Sequence, residues 1–207
     1  SNFLGATFLK QLALMLASDK SLLQEPADDA RFATVSAPVW DYLDKLHPLM
    51  WRQGRAFPKT SADLRQLFSD GEIDIGMSFD PAEAQAGIAS GEFRPTVQSY
   101  VPRGGSIGNA SFLAIPKNAA HKAGAMVVAD FMLSPLAQAH KQDPAVWGGA
   151  SVLAMDKLSA EDRALFDRLA AAPGALTPDQ LGTTLNEPHP SWMVRLAQGW
   201  AQRYGAP

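Results

Sequence analysis

The side chains best suited to chemistry in this sequence lack the spacing that common catalytic and metal sites require. Neither a GxSxG elbow nor an HExxH motif occurs, and there is no cysteine to act as a nucleophile, thiolate ligand or disulfide partner. No pair of histidines has the i,i+4 spacing of zinc ligands on a helix. The four histidines are His47, His121, His140 and His189. We therefore predict no catalytic residue, no metal site and no cofactor.

The glycine-rich segment Gly104–Gly108 is the first candidate for contact with a ligand. It lacks the lysine of a phosphate-binding GxxxxGK[ST] loop, and it comes before a predicted strand rather than a helix. A nucleotide-phosphate loop is excluded on both grounds. Glycines in this pattern are typical of a flexible turn or of a hinge between domains.

Asp80 is the second candidate because it lies where a predicted strand ends and a helix begins. Open α/β sheets usually bind ligands at that kind of junction. The Asp80-Pro81 pair also has the sequence of a helix start, with aspartate as N-cap and proline at the first helical position. Capping alone and contact with a ligand both remain open for Asp80.

Trp147 is the third candidate. It stands in a segment rich in helix breakers and is followed by two glycines, whereas the other tryptophans lie in predicted helices or beside them. A tryptophan is usually a core residue because it buries a large apolar area. In a loop of this kind it can instead line the wall of a cleft.

The overall charge excludes some functions. The chain has 207 residues, with 18 basic and 21 acidic side chains and a formal net charge of −3. No basic stripe is available to neutralise phosphates, so we expect no nucleic acid as a partner. No apolar run reaches the ~18 residues that a membrane-spanning helix needs. The start, Ser1-Asn2-Phe3, has no signal-peptide pattern, and we expect the chain to be part of a longer protein.

Hydrophobic periodicity predicts an α-rich α/β protein. Helices are expected at 3–18, 28–34, 38–51, 61–70, 81–90, 119–133, 134–139 and 191–204, with one more beginning at Ser159. Three short strands are expected at 73–79, 96–101 and 111–115. A sheet this small needs partner strands, and we expect some of them to lie outside this chain.

Two stretches of sequence resemble parts of periplasmic solute-binding proteins. Residues 71–81, GEIDIGMSFDP, resemble the "G-E-hydrophobic-D-hydrophobic" strand of the type II proteins. Residues 105–119, GSIGNASFLAIPKNA, are followed by a helix and then by Ser134-Pro135, an order that resembles their return strand and helix. Gly5–Leu9 is similar to the helix start of their second lobe, with its hydroxyl displaced by one position.

Nearly the whole chain is similar to the C-terminal part of an uncharacterised group related to thiamine- and iron-binding proteins. Trp147-Gly148, Val152-Leu153 and residues 187–192, EPHPSW, support this resemblance. It implies a periplasmic-binding-protein-like type II fold in a truncated two-lobe architecture. Residues 1–101 with 187–207 would form lobe two, and residues 102–186 would form the returning part of lobe one, whose N-terminal part would be absent.

The resemblance also implies a function. The protein would be the non-enzymatic, periplasmic solute-binding component of an ABC importer, which captures a small molecule and delivers it to the membrane permease subunits. Thiamine-like cations, ferric iron, polyamines and oxyanions all bind to relatives of this fold. One alternative is an enzyme, such as a transferase, built on the same fold; it needs a nucleophile–base pair, which we do not find in the sequence. The other is an effector-sensing module on the same fold, which would have an attached DNA-binding segment, and this sequence does not contain one.

The residues expected to bind the solute lie at the ends of predicted helices and strands or in segment 101–109, which we expect to be the hinge. We predict that they share one concave face. We also expect the chain alone to bind its solute weakly, and to expose apolar surface that favours self-association. The predicted ligand-binding residues are Gly5, Ala6, Thr7, Asp80, Gly105, Ser106, Asn109 and Trp147.

Overall fold

The computed structural model describes residues 3–108, 111–143, 145–169, 176 and 182–205. The chain folds into two compact units. Unit 1 comprises Ser1–Phe79, Gly104–Gly108 and Thr183–Pro207, and unit 2 comprises Asp80–Arg103 and Asn109–Gly182. The chain therefore leaves unit 1 and returns to it twice. The predicted lobe boundaries near residues 101 and 187 stay a prediction.

The described residues are rich in helix and contain one small sheet. The helices are α1 (Phe3–Leu16), α2 (Asp29–Leu46), α3 (Ser61–Ser69), α4 (Glu83–Ala89), α5 (Lys122–Met132), α6 (Pro135–Gln142), α7 (Ala160–Asp167) and α8 (Ser191–Tyr204). Short 3₁₀ segments lie at Lys20–Gln24, His47–Leu49, Trp51–Gly54 and Met155–Lys157. The strands are β1 (Ser106–Ile107) and β2 (Thr184–Leu185). No described helix is long and apolar enough to cross a membrane.

The core of unit 1 forms where α1, α2 and α8 pack together. Trp192 of α8 is fully buried among leucines and valines from the two other helices, and its indole Nε1 donates to the Glu25 carbonyl at 2.9 Å. That bond satisfies the one polar atom of a large apolar side chain. Leu9 and Leu12 of α1 belong to this core together with Leu196 of α8. Met15 of α1 is 44% exposed and lies outside it.

Helix α2 joins two segments that the sequence predicted as separate helices. Asp28 caps its start by accepting from the Arg31 amide, and Pro38 lies inside it without breaking it. An internal proline costs one helical hydrogen bond. Three residues at i, i+4 and i+8 bury their side chains completely or nearly so, and that burial favours a continuous helix. They are Val35, Val39 and Leu43.

The predicted strands are wrong. Residues 73–79, 96–101 and 111–115 are all described, and none of them forms a strand. The sheet consists instead of β1 and β2, which pair in parallel with Ser106 opposite Thr184 and Ile107 opposite Leu185. A β-strand needs a neighbouring strand with which its backbone forms hydrogen bonds. Among the described residues, none of the three predicted segments is paired with another strand.

Unit 2 contains α4 to α7 with a thin core. The buried apolar residues described in this unit are Ala82, Ala84, Phe93, Ala139 and Phe166. Gly87 of α4 lies so close to Phe93 that a Cβ there would be 2.1 Å from its ring. The caps of α6 and α7 follow the sequence, since Ser134 accepts from the Ala137 amide and Ser159 from the Asp162 amide.

The predicted start of α4 needs correction. Ala82, not Asp80, holds the N-cap position, and Pro81 lies before the helix rather than at its first turn. The Asp80 carboxylate accepts from the Ala82 amide at 2.8 Å, which forms a local turn that the chain completes before α4 begins. Asp80 thus shapes the approach to the helix without capping it.

Candidate functional site

The predicted ligand-binding residues are divided between the two units. Gly5, Ala6, Thr7, Gly105 and Ser106 belong to unit 1, whereas Asp80 and Trp147 belong to unit 2. Asn109 lies outside the described residues. The expectation that they all share one concave face stays a prediction, but each unit brings some of them together.

In unit 1 the start of α1 is largely engaged in packing. Ala6 and Thr7 are both buried, each with 6% of its surface exposed. The Thr7 hydroxyl donates to the Phe3 carbonyl at 3.0 Å, one turn back in the same helix. A threonine bonded in this way satisfies its own hydroxyl inside the helix, so its first role is structural.

Gln11 of α1 brackets strand β1 with both ends of its side-chain amide. Its Nε2 donates to the Gly105 carbonyl at 2.9 Å, and its Oε1 accepts from the Ile107 amide at 3.0 Å. Gln11 is buried. Strand β1 lies in Gly104–Gly108, the short passage through unit 1 that separates the two stretches of unit 2. These two bonds fasten that passage to α1.

Gly105 is required by close packing at the same point. Its φ is +89°, and a Cβ there would lie 2.2 Å from the Thr183 carbonyl oxygen. Any side chain would therefore both strain the backbone and push β1 away from the segment that leads into β2. The glycine-rich segment predicted as a turn or hinge is thus a tightly fitted contact at Gly105.

Lys10 forms a partly buried ion pair beside Gln11. Its Nζ lies 2.6 Å from Glu187 Oε2, two residues after β2, and its side chain is 5% exposed. Lys10 Nζ also lies 5.7 Å from the centre of the Phe3 ring. We call Lys10, Gln11, Gly105, Ile107 and Glu187 the crossing cluster, because they tie both returning segments to α1.

In unit 2 the structure brings Asp80 and the residues around Trp147 together. Gly148 has φ +78°, and a Cβ on it would lie 2.7 Å from the Ala82 Cβ and 3.3 Å from Asp80 Oδ1. The Gly148 backbone therefore rests directly against the Asp80 turn. Two candidates that are far apart in the sequence thus occupy one part of unit 2.

The segment 145–150, which we call the Trp147 loop, is held by several hydrogen bonds, three of them to one carbonyl. The Asp143 oxygen accepts from the amides of Val146, Trp147 and Gly148 at 2.9 to 3.0 Å. This wrapping leaves the Trp147 side chain 60% exposed. Lys141 Nζ donates to the Ala150 carbonyl at 2.7 Å and lies 5.7 Å from the centre of the Trp147 ring. A rigid loop thus presents an aromatic surface to solvent.

Gln85 of α4 is an additional candidate that the sequence did not reveal. It is 7% exposed, and its Nε2 has no hydrogen-bond partner among the described residues. Buried donors are nearly always satisfied, so one without an acceptor calls for an explanation. Gln85 lies five residues after Asp80 in the sequence and about one helical turn after Ala82, the N-cap of α4.

The residues described so far provide polar and aromatic groups that can contact a ligand. Unit 2 offers an exposed indole, a carboxylate and a buried amide donor, and unit 1 offers a fastened crossing segment. Within the described part of the chain, no group of three histidine, aspartate or glutamate side chains could hold a metal ion. The missed crossing-cluster residues had one signal, which is the adjacent polar pair Lys10 and Gln11 between apolar neighbours in α1.

Comparison with known proteins agrees with a binding role. The family model of the bacterial extracellular solute-binding proteins matches residues 2–162. The chain is 45% identical over 205 residues to protein YnjB of Escherichia coli (strain K12). That match covers 99% of this chain and 51% of YnjB, so the chain spans about half the length of the curated relative that it matches. No solved structure showed a significant match. The chain belongs to the family of bacterial extracellular solute-binding proteins.

Proposed function

We propose that this chain is part of the solute-binding component of an ABC importer, which binds a small molecule in a two-lobed cleft in the periplasm and delivers it to the membrane permease. The observation that carries the proposal is the family match over residues 2–162. Binding without chemical conversion fits the candidate residues of unit 2, which supply an indole, a carboxylate and an amide. A serine hydroxyl does lie near a histidine in unit 1, with Ser191 Oγ 2.9 Å from His189 Nδ1 at the start of α8.

The type II fold and its lobes are part of this proposal. Residues 1–101 with 187–207 form lobe two, and residues 102–186 form the returning part of lobe one. These lobe boundaries give two passages of the chain, whereas the chain passes between its two units four times. What supports the proposal is that two compact parts are joined by crossing segments. Proteins of this kind close on a ligand by hinge motion, and the crossing cluster fixes the unit 1 side of such a hinge.

The ligand-binding residues that we propose are the eight predicted from the sequence, with Gln85 added. Within unit 2, Trp147 supplies an exposed ring, and the Asp80 turn lies against the next residue in the loop. Aromatic rings and a few precisely placed polar groups are the usual lining of small-molecule sites. The buried amide of Gln85 is a donor that a solute can satisfy.

The test uses a longer protein, which we call the joined protein. It consists of this chain joined to the half of YnjB that the chain does not match. Native mass spectrometry of the joined protein, purified from the periplasm of its host, should show one discrete added mass that disappears on denaturation. We expect the 207-residue chain alone to carry much less of that mass, because the chain spans about half the length of YnjB and the proposed cleft lies between two lobes.

Three variants link the added mass to unit 2. Trp147→Ala and Asp80→Asn should lower the occupied fraction, whereas the control Leu49→Ala, at an 83% exposed residue of unit 1, should leave it unchanged. Gln85→Leu should lower occupancy while the unfolding free energy stays equal or rises, because the unpaired donor is removed. Equal occupancy in these three variants and the control would exclude the proposed site. A folded joined protein without any discrete added mass would contradict solute capture itself.

A further inference from the structure

Unit 2 carries a continuous stretch of sequence that buries nothing. No residue from 111 to 133 is buried, although this stretch includes the apolar helix α5. Seven large apolar side chains in and beside it are between 57% and 87% exposed. We call these seven residues the α5 surface, and they are Phe112, Leu113, Met126, Val127, Val128, Phe131 and Leu136.

An apolar helix with no buried residue needs a cover. A surface helix normally has one apolar stripe and one polar face, whereas a helix that is apolar on all sides is normally buried. The charged residues of α5 are Lys122 and Asp130, and the rest of the helix is apolar or glycine. Soluble proteins rarely expose contiguous apolar patches of this kind unless something binds to them.

A comparison with unit 1 shows that the shortage of buried apolar residues is confined to unit 2. Among the described residues, thirteen buried apolar residues belong to unit 1 and five to unit 2. Residues 111–115 add to the deficit, since they have strand-like sequence but no paired strand. A segment of this kind has an open edge that another strand can complete.

We infer that the α5 surface is the docking site for the polypeptide that corresponds to the unmatched half of YnjB. The chain covers 51% of that relative, so YnjB has about as many further residues as this chain contains. These residues would cover α5 and pair with residues 111–115, which would complete the core of unit 2. The inference rests on family membership and exposure, and it holds whether or not a solute is ever identified.

Two other occupants fit less well. A second copy would have to associate at its ambient concentration, whereas a segment of the same polypeptide has an effective concentration of roughly millimolar. A membrane surface favours a helix with a strongly basic polar face, and α5 has one lysine and one aspartate. A covalently linked protein segment is therefore the occupant that we choose.

The absence of cysteine makes a thiol-labelling test direct. Val127→Cys and Phe131→Cys each introduce the single thiol of the 207-residue chain, and Leu49→Cys is the matched control in unit 1. In the chain alone we expect all three thiols to react rapidly. In the joined protein the first two should react at least ~10-fold more slowly, whereas the control keeps its rate.

A second measurement does not depend on the joined protein. The unmatched half of YnjB, added as a separate polypeptide, should associate with the chain and should associate at least ~10-fold more weakly with Val127→Asp than with Leu49→Asp. Equal labelling of all three thiols in the joined protein would overturn the inference. Protection that grows with the concentration of the chain alone, or that requires anionic lipid vesicles, would assign the surface to a second copy or to a membrane and would also overturn it.

Discussion

Replacing Gln11 by methionine should lower the unfolding free energy of unit 1 strongly, because Gln11 connects α1 to strand β1. Methionine keeps the length of the side chain and loses both ends of the amide. The Gly105 carbonyl and the Ile107 amide then lose partners at 2.9 and 3.0 Å. Leaving a buried backbone group unsatisfied costs about 1–3 kcal/mol.

The magnitude depends on how well water replaces the lost partners. Gly105 is buried, so its carbonyl should bear most of the cost, whereas Ile107 is only partly buried and its amide can bind water more easily. We therefore expect Gln11→Met to lower the free energy of unfolding by about 2–4 kcal/mol. That is a large share of the stability of a typical domain.

Urea unfolding followed by tryptophan fluorescence measures this effect. Unit 1 contains four of the five tryptophans, so the signal reports mainly on this unit. The matched control is Gln202→Met, at an exposed glutamine of α8, which should change the unfolding free energy by less than about 0.5 kcal/mol. Equal effects of the two substitutions would refute the argument that Gln11 holds β1.

Two further predictions concern charged and titratable groups in unit 1. Glu187→Gln should lower the free energy of unfolding in urea by about 2 kcal/mol, because the Lys10 side chain, 5% exposed, loses its charge partner. Glu187 is itself partly exposed, which keeps this loss below that of a fully buried pair. Adding Lys10→Met to that variant should restore most of the loss, and no recovery would show that the unpaired charge was not the cause. Burial lowers the pKa of His47 below 6.5, with the nearby Asp44 opposing the shift. The unfolded chain therefore binds a proton first as pH falls, so the stability that neutral His47 contributes is complete above about pH 6.5 and is lost below it. His47→Gln should flatten the fall of stability below about pH 6.5 in thermal unfolding, and an unchanged slope would show that neutral His47 does not contribute this stability.

Local sequence signals predicted the helices well because their causes are local. Thr60 and Asp63 form a capping box at the start of α3, and Gly71 and Gly91 have the positive φ that allows the chain to turn after a helix. Each of these features depends on residues within about one turn. The exceptions are α2, where burial overrides Pro38, and α4, where Asp80 forms a turn of its own.

Strand pairing and site geometry could not be predicted in the same way. Strand β1 pairs with residues that follow it by more than seventy positions, and the contact between Gly148 and Asp80 spans a similar distance. No local pattern contains that information. The sequence did identify Asp80, Trp147 and Gly105 as residues of interest, because turns and breakers mark where the chain bends back. It missed Gln11, because the polar pair Lys10-Gln11 inside an apolar helix does not indicate which distant segment each side chain contacts.

The two units should therefore differ in how they respond to a missing cover. Unit 1 closes its own core around Trp192, and Gln11 fastens its crossing segment from within. Unit 2 holds the Trp147 loop through hydrogen bonds to residues 141 and 143 and leaves α5 with no buried residue. Local stability follows buried apolar contact, so hydrogen exchange should be slow in α1 and α8 and fast in α5 when the chain is alone. In the joined protein the protection of α5 should rise while that of α1 stays the same, since only unit 2 gains a cover. A uniform rise in both units would mean that the added half stabilises the whole chain in another way, and slow exchange of α5 in the chain alone would mean that this helix needs no cover.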